Sequence, residues 1–138
     1  MDIRPLTENF AVSPQVDIEH MKEIAGSGFR SVICNRPDGE DVDQPDFLAV
    51  EYAAQANGLE IRWIPVAGGA FSEGALSEFR AALDEMPKPI LAYCRSGTRC
   101  TMLWSIVEHG RLDDVEIIER AAKAGYDMSG LVQQLNRS

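Results

Sequence analysis

A four-residue apolar run, Ile90-Leu91-Ala92-Tyr93, ends at Cys94 and crosses the polar turn Arg95-Ser96-Gly97-Thr98. The chain then re-enters an apolar pattern in which Met102, Leu103, Ile106 and Val107 recur at helical spacing. A buried strand that runs through a glycine-containing turn into a helix puts the thiol of Cys94 at the mouth of a ring of backbone N–H groups. That ring lies on the positive end of a helix dipole, an arrangement that binds anions and lowers a thiol's pKa.

The rest of the chain supplies the sheet that such a strand needs. Phe10-Ala11-Val12 is a short strand stopped by Ser13-Pro14, and residues 17–27 follow with Ile18, Met21, Ile24 and Ala25 on one helical face. Asp17 is the expected N-cap there, with Gly26 or Gly28 as the stop. Ser31-Val32-Ile33-Cys34 reads as a buried parallel strand, and residues 35–41 as the loop that leaves it. A helix over 46–57, a strand over 59–66 and a loop over 67–70 come next. Ser72 then caps a helix over 73–86. Helices over 98–109, 114–124 and 128–136 follow the Cys94 strand. Helices alternating with short apolar strands predict one α/β domain, 1–138, with a mainly parallel central sheet of about four strands flanked by helices. Ligands of such sheets bind beyond the carboxyl ends of the strands. Those ends are Cys34-Asn35-Arg36, Val66-Ala67-Gly68 and Cys94.

Composition narrows the partners. At 138 residues the chain is long enough for a sizeable core, and its net charge of −9 argues against nucleic acid and anionic membranes. An anionic substrate must therefore be drawn in by local positive potential. The amino terminus is charged from its second residue, unlike a signal peptide, and no apolar run approaches membrane-spanning length. Cysteines at 34, 94 and 100 make no disulfide framework, so a reducing cytoplasmic location is expected. With no Cys/His cluster at ligand spacing beside His20 and His109, neither a metal nor another cofactor is implied.

Within the loop, Gly97 gives the turn its freedom, and Arg99, spaced C-x4-R from the thiol, can bind an oxyanion bidentately. Ser96 and Thr98 complete the anion-binding turn, and Arg95, its first residue, is expected to point outward. Two readings of Cys100 stand side by side: a weak donor and resolving partner for an oxidised Cys94, or a small residue in the first helical turn. Cys34 is expected in the core. Arg36 adds positive potential beside Asn35, with Asp38 and Glu40 orienting the arginines, or these are solvated loop charges. Trp63 and Trp104 are expected in the core, and His20 and His109 on helix surfaces.

Four segments, Ala11-Val12-Ser13-Pro14-Gln15, Asn35-Arg36-Pro37-Asp38-Gly39-Glu40, Ile64-Pro65-Val66 and Tyr93-Cys94-Arg95-Ser96-Gly97-Thr98-Arg99, resemble a known family over nearly the whole chain. It is the small bacterial phosphatase-like domain also found fused to metallo-β-lactamase-like hydrolases, in the beta-lactamase hydrolase-like proteins. The resemblance implies a fold like that of dual-specificity protein tyrosine phosphatases, with Cys94 as nucleophile and Arg99 as the oxyanion-binding arginine; some members are described as sulfur transferases.

The chain departs from the tyrosine phosphatase pattern in two places. Those enzymes have C-x5-R, whereas this loop is one residue shorter, as in rhodaneses. They also carry an acid after the third strand, where this chain reads Ala67-Gly68-Gly69-Ala70-Phe71-Ser72-Glu73, with Glu73 the only acid. Position 100, commonly Ser in the family, is Cys. Three functions share these residues. One is a cysteine-dependent phosphatase-like hydrolase acting on phosphomonoesters. The second is a rhodanese-like sulfurtransferase carrying a Cys94 persulfide. The third is a weakly catalytic anion-binding or redox-sensing module that uses Cys94 and Cys100. In each the partner is a small anion, a phosphate ester or a sulfane-sulfur donor, and no protein partner is indicated.

Overall fold

The computed structural model describes residues 1–137. Strands β1 (Arg4–Pro5), β2 (Phe10–Ser13), β3 (Ser31–Cys34), β4 (Glu60–Trp63) and β5 (Ile90–Tyr93) form one sheet in the order β1-β2-β5-β3-β4. The last four are parallel; β1 pairs antiparallel with β2. The expected parallel sheet is therefore present, with one short antiparallel strand added at its edge. Two residues, one of them proline, carry no alternating pattern from which β1 could be read.

Among the described residues, six helices cover the two faces: α1 (His20–Gly26), α2 (Phe47–Ala56), α3 (Glu73–Glu85), α4 (Thr98–Glu108), α5 (Asp114–Lys123) and α6 (Ser129–Asn136). Side chains alternate across β5. Leu91 and Tyr93 pack with Met21, Ile24, Phe47 and Val50 on the α1–α2 side. Ile90, Ala92 and Cys94 pack with Phe79, Leu103, Trp104 and Ile117 on the α3–α6 side. This period of two places the thiol on the face that α4 covers. Ser72 caps α3 as expected, its Oγ accepting the Ala75 N–H at 3.1 Å.

Two expectations are corrected. Asp17 is no N-cap: α1 begins a turn later with Glu19 as its cap, and the Asp17 N–H donates to His20 Nδ1 at 3.0 Å. Trp63 is not core. β4 is an edge strand with only β3 beside it, so Trp63 stays 39% exposed, stacked on Phe47 with ring centroids 4.8 Å apart. Trp104 and Cys34 are buried as expected. The histidines are half-buried, His20 opening α1 and His109 ending α4.

The larger cluster centres on Phe79, which is fully buried and meets Phe10 edge-on with centroids 6.0 Å apart. Phe79→Ala should lower unfolding free energy by about 3–5 kcal/mol, read as a shifted urea midpoint at unchanged slope.

Candidate active site

Hydrogen bonding beyond the strands brings four chain segments to one edge. Tyr93 C=O accepts the Asn35 N–H at 2.9 Å, Cys34 C=O the Ile64 N–H at 2.9 Å, and Asn35 C=O the Val66 N–H at 3.1 Å. On the other side of β5, Ser13 C=O accepts the Cys94 N–H and Arg95 C=O the Gln15 N–H, each at 3.4 Å. The segments that carry the family resemblance thus meet around Cys94.

Cys94 is fully buried at the end of β5. The Gly97 N–H donates to its Sγ at 3.1 Å. Hydrogen bonding from the Cys100 thiol, opposed by burial and helped by the N–H groups of Cys100, Gly97 and Ser96, brings its pKa down to about 6. Cys100 is fully buried, and burial together with the neighbouring Cys94 pushes its own thiol well up. It is held as a protonated donor beside a thiolate. Cys34 is likewise raised by burial. The loop can close this tightly because Gly97 has φ +88° and leads directly into α4. Ser96 Oγ accepts the Thr98 N–H at 3.4 Å and donates to the Thr98 Oγ1 at 3.0 Å.

Two guanidiniums meet one carboxylate above the loop. Glu40 Oε1 accepts from Arg36 Nε at 2.9 Å and from Arg99 Nη2 at 2.8 Å, while its Oε2 accepts from Arg99 Nη1 at 2.9 Å. Arg99 Nη1 also donates to the Val66 carbonyl at 2.8 Å. The Arg36 side chain, 3% exposed, spends its remaining donors on Gln15 Oε1 at 2.9 Å and Asp41 Oδ2 at 3.0 Å. Arg36 is a buried anchor, and Arg99 is the arginine whose charge interacts with the Cys94 thiol. Hydrogen bonds from Arg99, with a further one from Arg36, hold Glu40 at a pKa of about 2 against the opposing effect of burial. Glu40 is therefore fixed as a carboxylate and cannot deliver a proton at neutral pH.

The other expected residues separate into those near the thiol and those apart from it. Arg95 points outward, its side chain 66% exposed and 3.9 Å from Asp41. Asn35 is buried, but its Nδ2 donates to the Ile64 carbonyl at 2.8 Å, tying β3 to β4. Asp38 orients no arginine; its Oδ1 accepts the Phe47 N–H at 2.8 Å at the start of α2. Glu73 is exposed in the first turn of α3, with no hydrogen bond or ion pair among the described residues. Two contributors carry no signal of chemistry in the sequence. Gln15 braces Arg36, and Tyr126 donates its hydroxyl to the Ser96 carbonyl at 2.8 Å. An open cavity of about 400 Å³ lies beside the loop, lined by Gln15, Arg36, Asp41, Asp43, Gln44 and Arg95. The arrangement as a whole can hold a tetrahedral anion against a thiolate.

Known proteins resemble the chain in sequence and in fold. Residues 2–111 match the family described as "Beta-lactamase hydrolase-like protein, phosphatase-like domain". The beta-lactamase hydrolase-like protein of Xylella fastidiosa strain Temecula1 is 35% identical over 99% of this chain and 32% of its own length. The chain thus spans about a third of the curated relatives it matches. A crystal structure of a candidate phosphatase from Neisseria meningitidis Z2491 superposes with a TM-score of 0.87 at 33% identity, covering 99% of this chain and 98% of that one. The core catalytic domain of the PP-IP phosphatase Siw14 of S. cerevisiae, in complex with citrate, shares the fold. Its TM-score is 0.70 at 16% identity, over 99% of this chain and 84% of that one.

Two outcomes follow from these contacts. Cys94 should be alkylated by iodoacetamide in the native protein with a midpoint near pH 6, while Cys34 and Cys100 react only on unfolding. Cys100→Ala should raise that midpoint by about one pH unit, as expected for one lost hydrogen bond to a charged group, and Cys100→Ser by less. Glu40 has a lowered folded pKa, so the stability it contributes is complete above its ordinary value of 4.5 and is lost as pH falls through about 2. Urea midpoints of Glu40→Gln should therefore fall less steeply below pH 4.5 than those of the wild type.

Proposed function

The chain belongs to the phosphatase-like domain family of the beta-lactamase hydrolase-like proteins; on that premise we propose that residues 1–138 form a single domain that hydrolyses small phosphomonoesters through Cys94. The observation that carries the reading is the buried Cys94 thiol with the Gly97 N–H 3.1 Å from its Sγ and the Cys100 thiol donating beside it, contacts that bring its pKa down. Cys94 Sγ attacks phosphorus, the P–O bond to the leaving group breaks, and a phosphocysteine forms. Water then attacks phosphorus, releasing inorganic phosphate and regenerating the thiolate. The loop N–H groups and Arg99 receive the charge that spreads over the equatorial oxygens. Glu40 grips Arg99 through Nη1 and Nη2, leaving the Nε edge to an incoming oxyanion.

The choice of leaving group follows from the acids. Glu40 is locked as a carboxylate and Glu73 stands apart, so neither protonates a departing alcohol, and Asp41 on the cavity wall is bound by Arg36 at 3.0 Å. General-acid help is worth about 10²–10⁴-fold, so aryl phosphates, which leave without it, are favoured over alkyl phosphates. Two structural neighbours carry substrate names, a PP-IP phosphatase and PTPMT1 in complex with PI(5)P, which point to phosphorylated small molecules as the class. With Asp41 and Asp43 balanced by Arg36 and Arg95 around the adjoining cavity, and a net charge of −9 over the chain, this site suits a substrate of low charge. A reducing cytoplasmic setting keeps such a thiolate free.

The four-residue loop between Cys94 and Arg99 favours a second reading. The thiolate attacks the sulfane sulfur of thiosulfate, the S–S bond breaks, sulfite departs, and Cys94 carries a persulfide that a thiol acceptor or cyanide then takes. Steady-state assays with an aryl phosphate, and with thiosulfate plus cyanide, separate the two. Aryl phosphate turnover that Cys94→Ser abolishes is expected, with Arg99→Ala lowering kcat/KM by about 10²–10³-fold. Turnover of thiosulfate alone overturns the phosphatase reading in favour of sulfur transfer. Activity surviving in Cys94→Ser overturns both, and silence on both substrates leaves the anion-binding or redox-sensing module.

A further inference from the structure

One peptide group in the loop is held from both ends. Its N–H, that of Gly97, donates to Cys94 Sγ at 3.1 Å; its carbonyl, that of Ser96, accepts the Tyr126 hydroxyl at 2.8 Å. A rigid amide plane carries these two groups on opposite sides, so whatever fixes the carbonyl also aims the N–H. Tyr126 is buried and lies hard against the loop. A Cβ at position 97 would fall 2.2 Å from its hydroxyl oxygen and 3.1 Å from its Cζ. Position 97 must be glycine here for two reasons, the positive φ and the space that the tyrosine occupies.

The tyrosine is itself held. Its ring lies beneath the guanidinium of Arg4 in β1, 5.1 Å from the ring centroid, and Arg4 Nη1 donates to the Ala124 carbonyl at 3.2 Å. Burial raises the phenol's pKa, keeping it a donor. Tyr126 lies in the turn between α5 and α6, beyond the 2–111 region that matches the family.

We propose that Tyr126 is a positioning residue for the reaction at Cys94, holding the Ser96–Gly97 peptide with its N–H aimed at the thiolate and at the oxyanion bound there. The proposal rests on the reading of Cys94 as nucleophile. A free carbonyl could rotate toward the anion and repel it. The phenol removes that freedom, and by polarising the amide it strengthens the N–H on the far side.

The test uses Tyr126→Phe, which deletes the hydroxyl and keeps the ring, with Arg4→Met as the control that loosens the same turn but leaves the hydroxyl. For each variant three quantities are read: the pH midpoint of Cys94 alkylation, inhibition of that alkylation by inorganic phosphate, and the thermal midpoint. For Tyr126→Phe the alkylation midpoint should rise by about one pH unit and phosphate protection weaken about tenfold, as for one lost charge-assisted contact. Arg4→Met, which keeps the hydroxyl, should lower thermal stability and move both loop readouts clearly less than Tyr126→Phe does. Unchanged loop readouts in Tyr126→Phe overturn the proposal. So does an equal shift in Arg4→Met, which would assign the effect to general loosening. Failure of the underlying reading is distinguishable: the wild-type protein would then show an ordinary thiol midpoint and no phosphate protection.

Discussion

The site depends on an electrostatic balance at one sulfur atom. Burial alone pushes a thiol's pKa up, as Cys34 and Cys100 show a short distance away. At Cys94 the hydrogen bonds win over the same burial and carry it from 9.0 to about 6. The difference lies in what surrounds the atom. Cys94 ends a strand, so the next peptides turn back over it with their N–H groups inward, and Cys100, in the first turn of α4, adds a thiol donor. Every larger feature serves that placement. The parallel ladder delivers Cys94 to the sheet edge, α4 starts over it, and Tyr126 braces the turn from outside.

A second balance concerns charge. A chain of net −9 has to present positive potential at one point, and it does so with a guanidinium whose position is set by a carboxylate. Glu40 joins Arg99 to Arg36, and Arg36 is fastened in turn by Gln15 and Asp41. Arg36 is the buried charge of this cluster, so a lost partner leaves it short of counter-charge, while Glu40 and Asp41 lie at the surface. The same network makes Glu40 unfit as a proton donor. Holding Arg99 and protonating a leaving group are competing uses of a carboxylate, and here the first prevails.

What the sequence discloses about this site follows from range. Cys94, Gly97 and Arg99 lie within one short turn, so their chemistry is visible as a local pattern between a short apolar run and a helical one. The alternation of helices and strands likewise predicts the layered sheet. Glu40 and Arg99 are 59 positions apart, and Tyr126 and Ser96 are 30 apart. Nothing local distinguishes such a glutamate from a solvated loop acid, or such a tyrosine from ordinary core. β1 is too short to have a period, and Trp63 reads as core because an edge strand and a central one look alike in a single sequence. Asp17 has a capping side chain but sits a turn too early to use it.

The central claim is that the Cys94 thiolate attacks phosphorus, and the intermediate is its direct signature. Rapid quench of the wild-type protein in mildly alkaline denaturant during turnover of an aryl phosphate, followed by peptide mass analysis, reads whether Cys94 carries a phosphoryl group. A phosphoryl adduct is expected on the peptide containing Cys94, absent from Cys94→Ser and from protein mixed with inorganic phosphate after quenching. A thiol left unmodified throughout aryl phosphate turnover, or an adduct that appears only as extra sulfur after thiosulfate, would contradict it.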